Sequence, residues 1–222
     1  MRDFEFRSVD DFTPQYEERT YDLSQLTSVW YVVTPFNEDG GAAHTFLSFG
    51  FADSTFVAIS VEARREVNEP YSLWRGLVRA YEVIYVVGEE RDLIGTRAVH
   101  RGNNVLLYPI RAEPAQARAL FIDMLERANA LRERPEFYNT LTNNCMTSIL
   151  RHVNTLIDPP IGWGPRILLP AYSDEIALRR GLLDTDLPLD EARRRFLIND
   201  LAIRHANDPD FSLRIRGMEG SS

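Results

Sequence analysis

His44-Thr45-Phe46-Leu47-Ser48-Phe49-Gly50-Phe51, a break at Ala52-Asp53-Ser54, and Phe56-Val57-Ala58-Ile59-Ser60-Val61-Glu62 decide the fold. Two runs of aromatic and β-branched residues around a short polar break read as a β-hairpin. A turn centred on Asp53 sets Glu62 directly opposite His44, on the same face of the sheet and within contact distance. A slip of one residue would turn Glu62 to the other face. The alternative reading of Glu62 is a surface carboxylate paired with Arg64 or Arg65, a common and weak arrangement.

Working outward, Val29-Trp30-Tyr31-Val32-Val33 reads as a buried strand, closed by Pro35 and the polar loop Asn37-Glu38-Asp39-Gly40-Gly41. Further strands are expected at Tyr81–Val87 and Val105–Ile110. From Glu113 the period becomes helical. Pro114 suits a first turn, and Leu120, Met124, Leu125, Ala128 and Leu131 form one apolar stripe that stops at Pro135. A second helix begins near Asn143 or Asn144, either of which can cap it. It buries Ile149, Leu150, Val153 and Leu156 and ends at Pro159-Pro160. Beyond an irregular link at Ile161-Gly162-Trp163-Gly164-Pro165, two more amphipathic helices are expected at about 173–182 and 188–206.

Strands followed by helices, without alternation, indicate an α+β domain. The expected organisation is an irregular lead-in over 1–26, a catalytic-type domain over 27–160 and a helical annex over 161–222 packed on it. In the annex, the run Arg193-Arg194-Arg195 among acidic neighbours reads as a solvated helix face.

The 222 residues, 44% hydrophobic and 26% charged, fit this size. The formal charge is −8, and all 25 cations are arginine. That balance disfavours nucleic acid, which asks for surplus positive charge, and the absence of lysine removes lysine Schiff-base chemistry. No apolar run approaches the roughly 20 residues of a spanning helix. Met1-Arg2-Asp3-Phe4-Glu5 is not the core of a signal peptide. Both ends read as the edges of a piece cut from a larger protein. A single cysteine, Cys145, excludes an intramolecular disulfide and a cysteine metal cage. Without an HExxH spacing or a glycine-rich phosphate loop, no metal and no cofactor are expected.

Chemistry concentrates on Cys145. In the first turn of a helix after Asn143-Asn144, the macrodipole and free N–H groups favour a thiolate and can hold an oxyanion. The competing reading is a small buried hydrophobe on the face that carries Ile149. A thiol nucleophile needs a base. His152 lies two turns away, His205 in an exposed charged helix and His100 in a polar loop, whereas a strand would hold His44 rigidly. Glu62 would then orient the imidazole. Tyr138, Asn143 and Asn144 are candidate donors to a carbonyl oxygen, and Arg64 or Arg65 a candidate phosphate contact. The stretch Ile161–Pro170 is a candidate acyl groove or bilayer contact, with packing of Trp163 on the core as its alternative.

The order histidine on a strand, polar residue on the next strand and cysteine at a helix N-terminus is similar to circularly permuted papain-like (NlpC/P60-type) thiol enzymes. More closely, His44-Thr-Phe-Leu-Ser-Phe-Gly-Phe, Ala58-Ile-Ser-Val-Glu-Ala-Arg-Arg-Glu66, Tyr81-Glu-Val-Ile-Tyr-Val-Val and Phe137-Tyr-Asn-Thr-Leu-Thr-Asn-Asn-Cys145 resemble the Lnb N-terminal periplasmic domain family. The resemblance runs from about residue 27 to 157. It implies a periplasmic domain, usually of a membrane-anchored protein, with a papain-like antiparallel sheet packed against helices. It also implies lipoprotein N-acyltransfer: Cys145 would take a fatty acyl chain from phospholipid with His44 as base and Glu62 as orienting residue, then pass it to a lipoprotein amine. The alternatives are a cysteine amidase or peptidase acting on cell-wall peptides, and a non-catalytic binding domain. Peripheral membrane contact or a removed anchor fits the acyltransferase expectation.

Overall fold

The computed structural model describes residues 1–8, 11–36, 41–64, 72–162, 164 and 169–219. Arg65, Trp163 and most of the loop after Phe36 lie outside them. The domain is α+β, built on an antiparallel five-stranded sheet in the order β6-β5-β4-β3-β7. Its strands are β3 (Leu26–Pro35), β4 (Ala43–Phe51), β5 (Phe56–Arg64), β6 (Glu82–Gly88) and β7 (Leu106–Pro109). In the polar lead-in, the short strands β1 (Glu5–Phe6) and β2 (Phe12–Thr13) pair separately.

Helices cover both faces of this sheet. One face, carrying Tyr31, Val33, Leu47, Phe49, Val57 and Ile59, packs on α2 (Pro114–Glu133) and α3 (Cys145–Val153). The other, carrying Val32, Phe46 and Ala58, packs on a ten-residue π-helix (Arg91–His100), α6 (Asn199–Arg204) and α7 (Phe211–Arg214). Every residue of β4 is therefore buried, and the strand reads as a near-continuous apolar run. The C-terminal helices serve both layers: α4 (Ser173–Arg179) and α5 (Leu189–Phe196) contribute Ala177 and Ala192 to the first core.

Two expectations change and one element is added. The polar stretch around His100 is not a loop but the end of the π-helix, where His100 meets the Phe6 ring. A π-helix has no 3.6-residue apolar period, so the pattern is unreadable as a helix. The span 188–206 is two helices, because Leu197 turns extended and Ile198 donates its N–H to the Val105 carbonyl. A short helix α1 (Leu73–Leu77), below the length at which periodicity can be read, precedes β6.

The hairpin register follows its turn. Asp53 Oδ1 accepts the Thr55 N–H, and Ser54 takes the left-handed conformation at φ 68°. Phe46 then pairs with Ser60 and Leu47 with Ile59, the register that places Glu62 opposite His44.

Under the second face, Arg216 forms a fully buried bidentate ion pair with Glu90 at 2.6 and 2.7 Å. Glu90 also accepts from Ser48 of β4 at 2.5 Å, and the guanidinium lies over the Trp30 and Phe56 rings. Replacing Arg216 by Met leaves the Glu90 carboxylate buried without a counter-charge. The expected loss is about 3–5 kcal/mol, read from the midpoint of urea unfolding.

Candidate active site

Asn144, rather than Asn143, caps α3. Its Oδ1 accepts the Thr147 N–H at 2.9 Å, and Thr147 Oγ1 accepts the Asn144 N–H at 2.9 Å, a reciprocal capping box. The Asn144 amide donates to the Thr140 carbonyl at 2.6 Å, so the loop before the helix is tied to its first turn. Cys145 is the first helical residue, 5% exposed, packed with Val61, Tyr81 and Tyr138. Its position at the positive end of the helix favours the thiolate.

From the other side comes His44, second residue of β4. By parity along the strands, His44, Ser60 and Glu62 belong to the face covered by the π-helix, while α3 packs on the opposite face. Thiol and imidazole meet because His44 stands at the end of its strand. His44 Nε2 lies 2.6 Å from Ser60 Oγ and 3.1 Å from Glu62 Oε1. Ser60 donates its proton to Glu62 Oε1 at 2.7 Å, so its oxygen must accept from Nε2–H. Nδ1 is left as the nitrogen that exchanges a proton with Cys145. Arg97, from the π-helix, donates to the same Glu62 oxygen at 2.7 Å and lies over the Phe46 ring.

The electrostatics follow from these contacts. Burial works against an imidazolium at His44, as does the Arg97 charge, but the Glu62 carboxylate and the hydrogen bond with Cys145 together outweigh them and raise His44 to about 9. Burial likewise works to push the thiol up. The hydrogen bond and charge of His44, with the neighbouring Thr45, outweigh it and hold Cys145 below its ordinary range. Glu62, partly desolvated, is held well below the usual carboxylate range by His44 and Arg97. The combination favours a thiolate–imidazolium pair, the reactive form of a nucleophilic cysteine.

The other sequence candidates fall around this centre. Tyr138 is buried against Cys145. Asn143 donates its amide to the Phe137 carbonyl at 3.0 Å, and its buried Oδ1 accepts no hydrogen bond among the described residues. Arg64 is exposed and pairs with Glu82, away from Glu62. Ser60 and Arg97 were not singled out in the sequence. Ser60 shares the face of Glu62 at a spacing of two, a signal that parity alone could have supplied. His152 is too far along α3 to act as the base, yet it is 2% exposed and bonded at both ring nitrogens. Nδ1 meets Asp123 at 2.6 Å and Nε2 meets the Tyr85 hydroxyl at 2.7 Å. Burial lowers its pKa, so the neutral ring donates to Asp123, accepts from Tyr85 and ties α3 to α2 and β6.

An apolar pocket with a cavity volume of about 100 Å³ runs along α3 from Met146, the residue after Cys145; Cys145 itself does not line it. Met146, Ile149, Leu150 and Val153 form one wall; Tyr31 and Ser173, joined by a 2.7 Å hydrogen bond, stand at the Met146 end.

The fold and site together define a double-covered antiparallel α+β domain with a Cys145–His44–Glu62 constellation. The pattern of the Lnb N-terminal periplasmic domain matches residues 12–170, and the chain belongs to that family. No curated protein and no solved structure matches it. No described helix is long and apolar enough to cross a membrane.

The site predicts a specific pH profile for thiol alkylation. With iodoacetamide, the rate at Cys145 should rise with pH through a midpoint below the roughly 8.5 of a free cysteine. In His44→Ala burial is opposed only by Thr45 and the helix N-terminus, and the midpoint should move up; in Glu62→Gln it should move up by less. Identical profiles in wild type and His44→Ala would show that the imidazole does not govern the thiol.

Proposed function

We propose that this domain is a cysteine acyltransferase of the permuted papain-like type, periplasmic and acting on lipid-derived acyl groups. The observation that carries the reading is the Cys145 thiol at a helix N-terminus beside a His44 whose far nitrogen is engaged by Ser60 and Glu62. The order of these residues on strand, strand and helix is the order found in permuted papain-like thiol enzymes. The Cys145 thiolate attacks the ester carbonyl of a phospholipid, and the tetrahedral oxyanion forms at the α3 N-terminus. Collapse breaks the ester C–O bond, and His44 Nδ1–H gives its proton to the leaving lysophospholipid oxygen, leaving a thioester. A lipoprotein α-amine then attacks the thioester. His44 takes the proton of that amine as the C–S bond breaks, and the thiolate–imidazolium pair is restored.

The pocket favours this reading over a peptidase or amidase. Its wall is apolar and starts at Met146, the residue after the nucleophile, which suits a hydrocarbon chain and gives a peptide few hydrogen-bonding partners. Water in place of the amine would make the same constellation a hydrolase, and a thiol that never acylates would make the domain a binding module.

Intact-protein mass spectrometry after incubation with mixed phospholipid tests the reading. The expected result is a fatty-acyl mass gain removed by hydroxylamine, absent in Cys145→Ser and at least about 100-fold slower in His44→Ala, the usual worth of a general base. No adduct on a thiol that alkylates normally would overturn it.

A further inference from the structure

We propose that α1 and the loop before Cys145 form the surface by which this domain docks on an anionic lipid bilayer. The choice of partner rests on the acyltransferase reading above. Trp74 and Val78, one helical turn apart and thus on one face, are 79% and 76% exposed, the most exposed of the large apolar side chains described. Leu141, in the loop against α1, is exposed as well.

These residues lie beside the segment that leads into Cys145. The Asn139 amide donates to the Leu77 carbonyl at 3.1 Å, and Gly76 lies so close to Thr140 that a Cβ there would stand 2.3 Å from its hydroxyl. The same loop continues to Asn144, whose side chain holds Thr140 and caps the helix that starts at Cys145. Tyr138 of this loop shares the buried cluster of Cys145. Helix α1 is therefore fastened, through backbone and side-chain contacts, to the segment that positions the nucleophile.

Charge selects the partner. Arg75 and Arg79 alternate with Trp74 and Val78, on a chain whose overall charge is −8. Arg79 holds the left-handed conformation at φ 59°, where glycine is usual, at the end of α1. Tryptophan with flanking arginine is the composition of an interfacial anchor, the ring at headgroup depth and the guanidinium on phosphate. A bilayer pressed to this surface also answers an access problem. The thiol is 5% exposed, and a lipid chain that reaches it should pass from the membrane without crossing water.

The test is sedimentation with vesicles of equal parts phosphatidylcholine and phosphatidylglycerol, and with phosphatidylcholine alone. Wild type should bind the anionic vesicles, less tightly at high salt. Trp74→Ser/Val78→Ser and Arg75→Gln/Arg79→Gln should each bind about tenfold more weakly. Unchanged thiol alkylation would show that the variants keep the fold. Wild type that does not bind, or variants that bind equally, would overturn the docking surface. Trp74-dependent self-association without vesicle binding would overturn it in favour of a contact between copies. Thioester formation from detergent-dispersed phospholipid separates this proposal from the enzymatic one. Trp74→Ser/Val78→Ser should retain it if the acyltransferase reading holds. Vesicle binding lost in the variant, with no thioester even in wild type, would leave the docking surface standing and sink the acyltransferase.

Discussion

The pairing register of β4 with β5 is the constraint on which the rest depends. It puts His44 and Glu62 on one face, and it simultaneously puts Leu47, Phe49, Val57 and Ile59 into the α2–α3 core. A one-residue slip of β5 would exchange those sets. Ser60 and Glu62 would enter the apolar layer, and Val57, Ile59 and Val61 would face the buried Arg97. The site geometry is thus held by the burial of two hydrophobic layers, a far larger energy than any bond within the site.

Within that frame, a single carboxylate oxygen organises the charges. Glu62 Oε1 receives Ser60, Arg97 and His44. Arg97 keeps Glu62 ionised in a partly desolvated place, and ionised Glu62 then supports the imidazolium. Arg97 also repels that imidazolium, so the arginine acts in both directions on His44. Its net value lies in preventing protonation of Glu62, without which the imidazole would lose both orientation and charge support. Thiol reactivity is consequently set by groups on three elements, two of which never touch the sulfur.

Much of this was legible in the sequence because it rests on short-range rules. The Asp53 turn fixes a two-residue alternation, and alternation leads from His44 to Glu62. Asn143-Asn144 before a helical apolar stripe marks the start of α3 and with it the place of Cys145. Arg97 was illegible for a physical reason: Arg91-Asp92-Leu93-Ile94-Gly95-Thr96-Arg97 has polar residues spaced for neither helix nor strand, because a π-helix widens the turn. Its charged side chains are satisfied by partners far away in the chain, such as Arg2 for Asp92. Such pairing of distant charges leaves no local pattern. The break between α5 and α6 is illegible for a similar reason, since it is made by a bridge from Leu197 to Leu106 of β7.

The clamp of Arg216 on Glu90 also bears on the order in which the molecule assembles. The carboxylate sits just before the π-helix, and its counter-charge arrives more than a hundred residues later, after every strand and every other helix. Until then Glu90 and Ser48 have no reason to leave water. The sheet face beneath Phe46 can be only loosely covered. A nascent chain would complete the α2–α3 side first and seal the His44 side last. Since contacts of such long sequence separation slow folding, the half of the site that carries the imidazole should be the final part of the domain to become native.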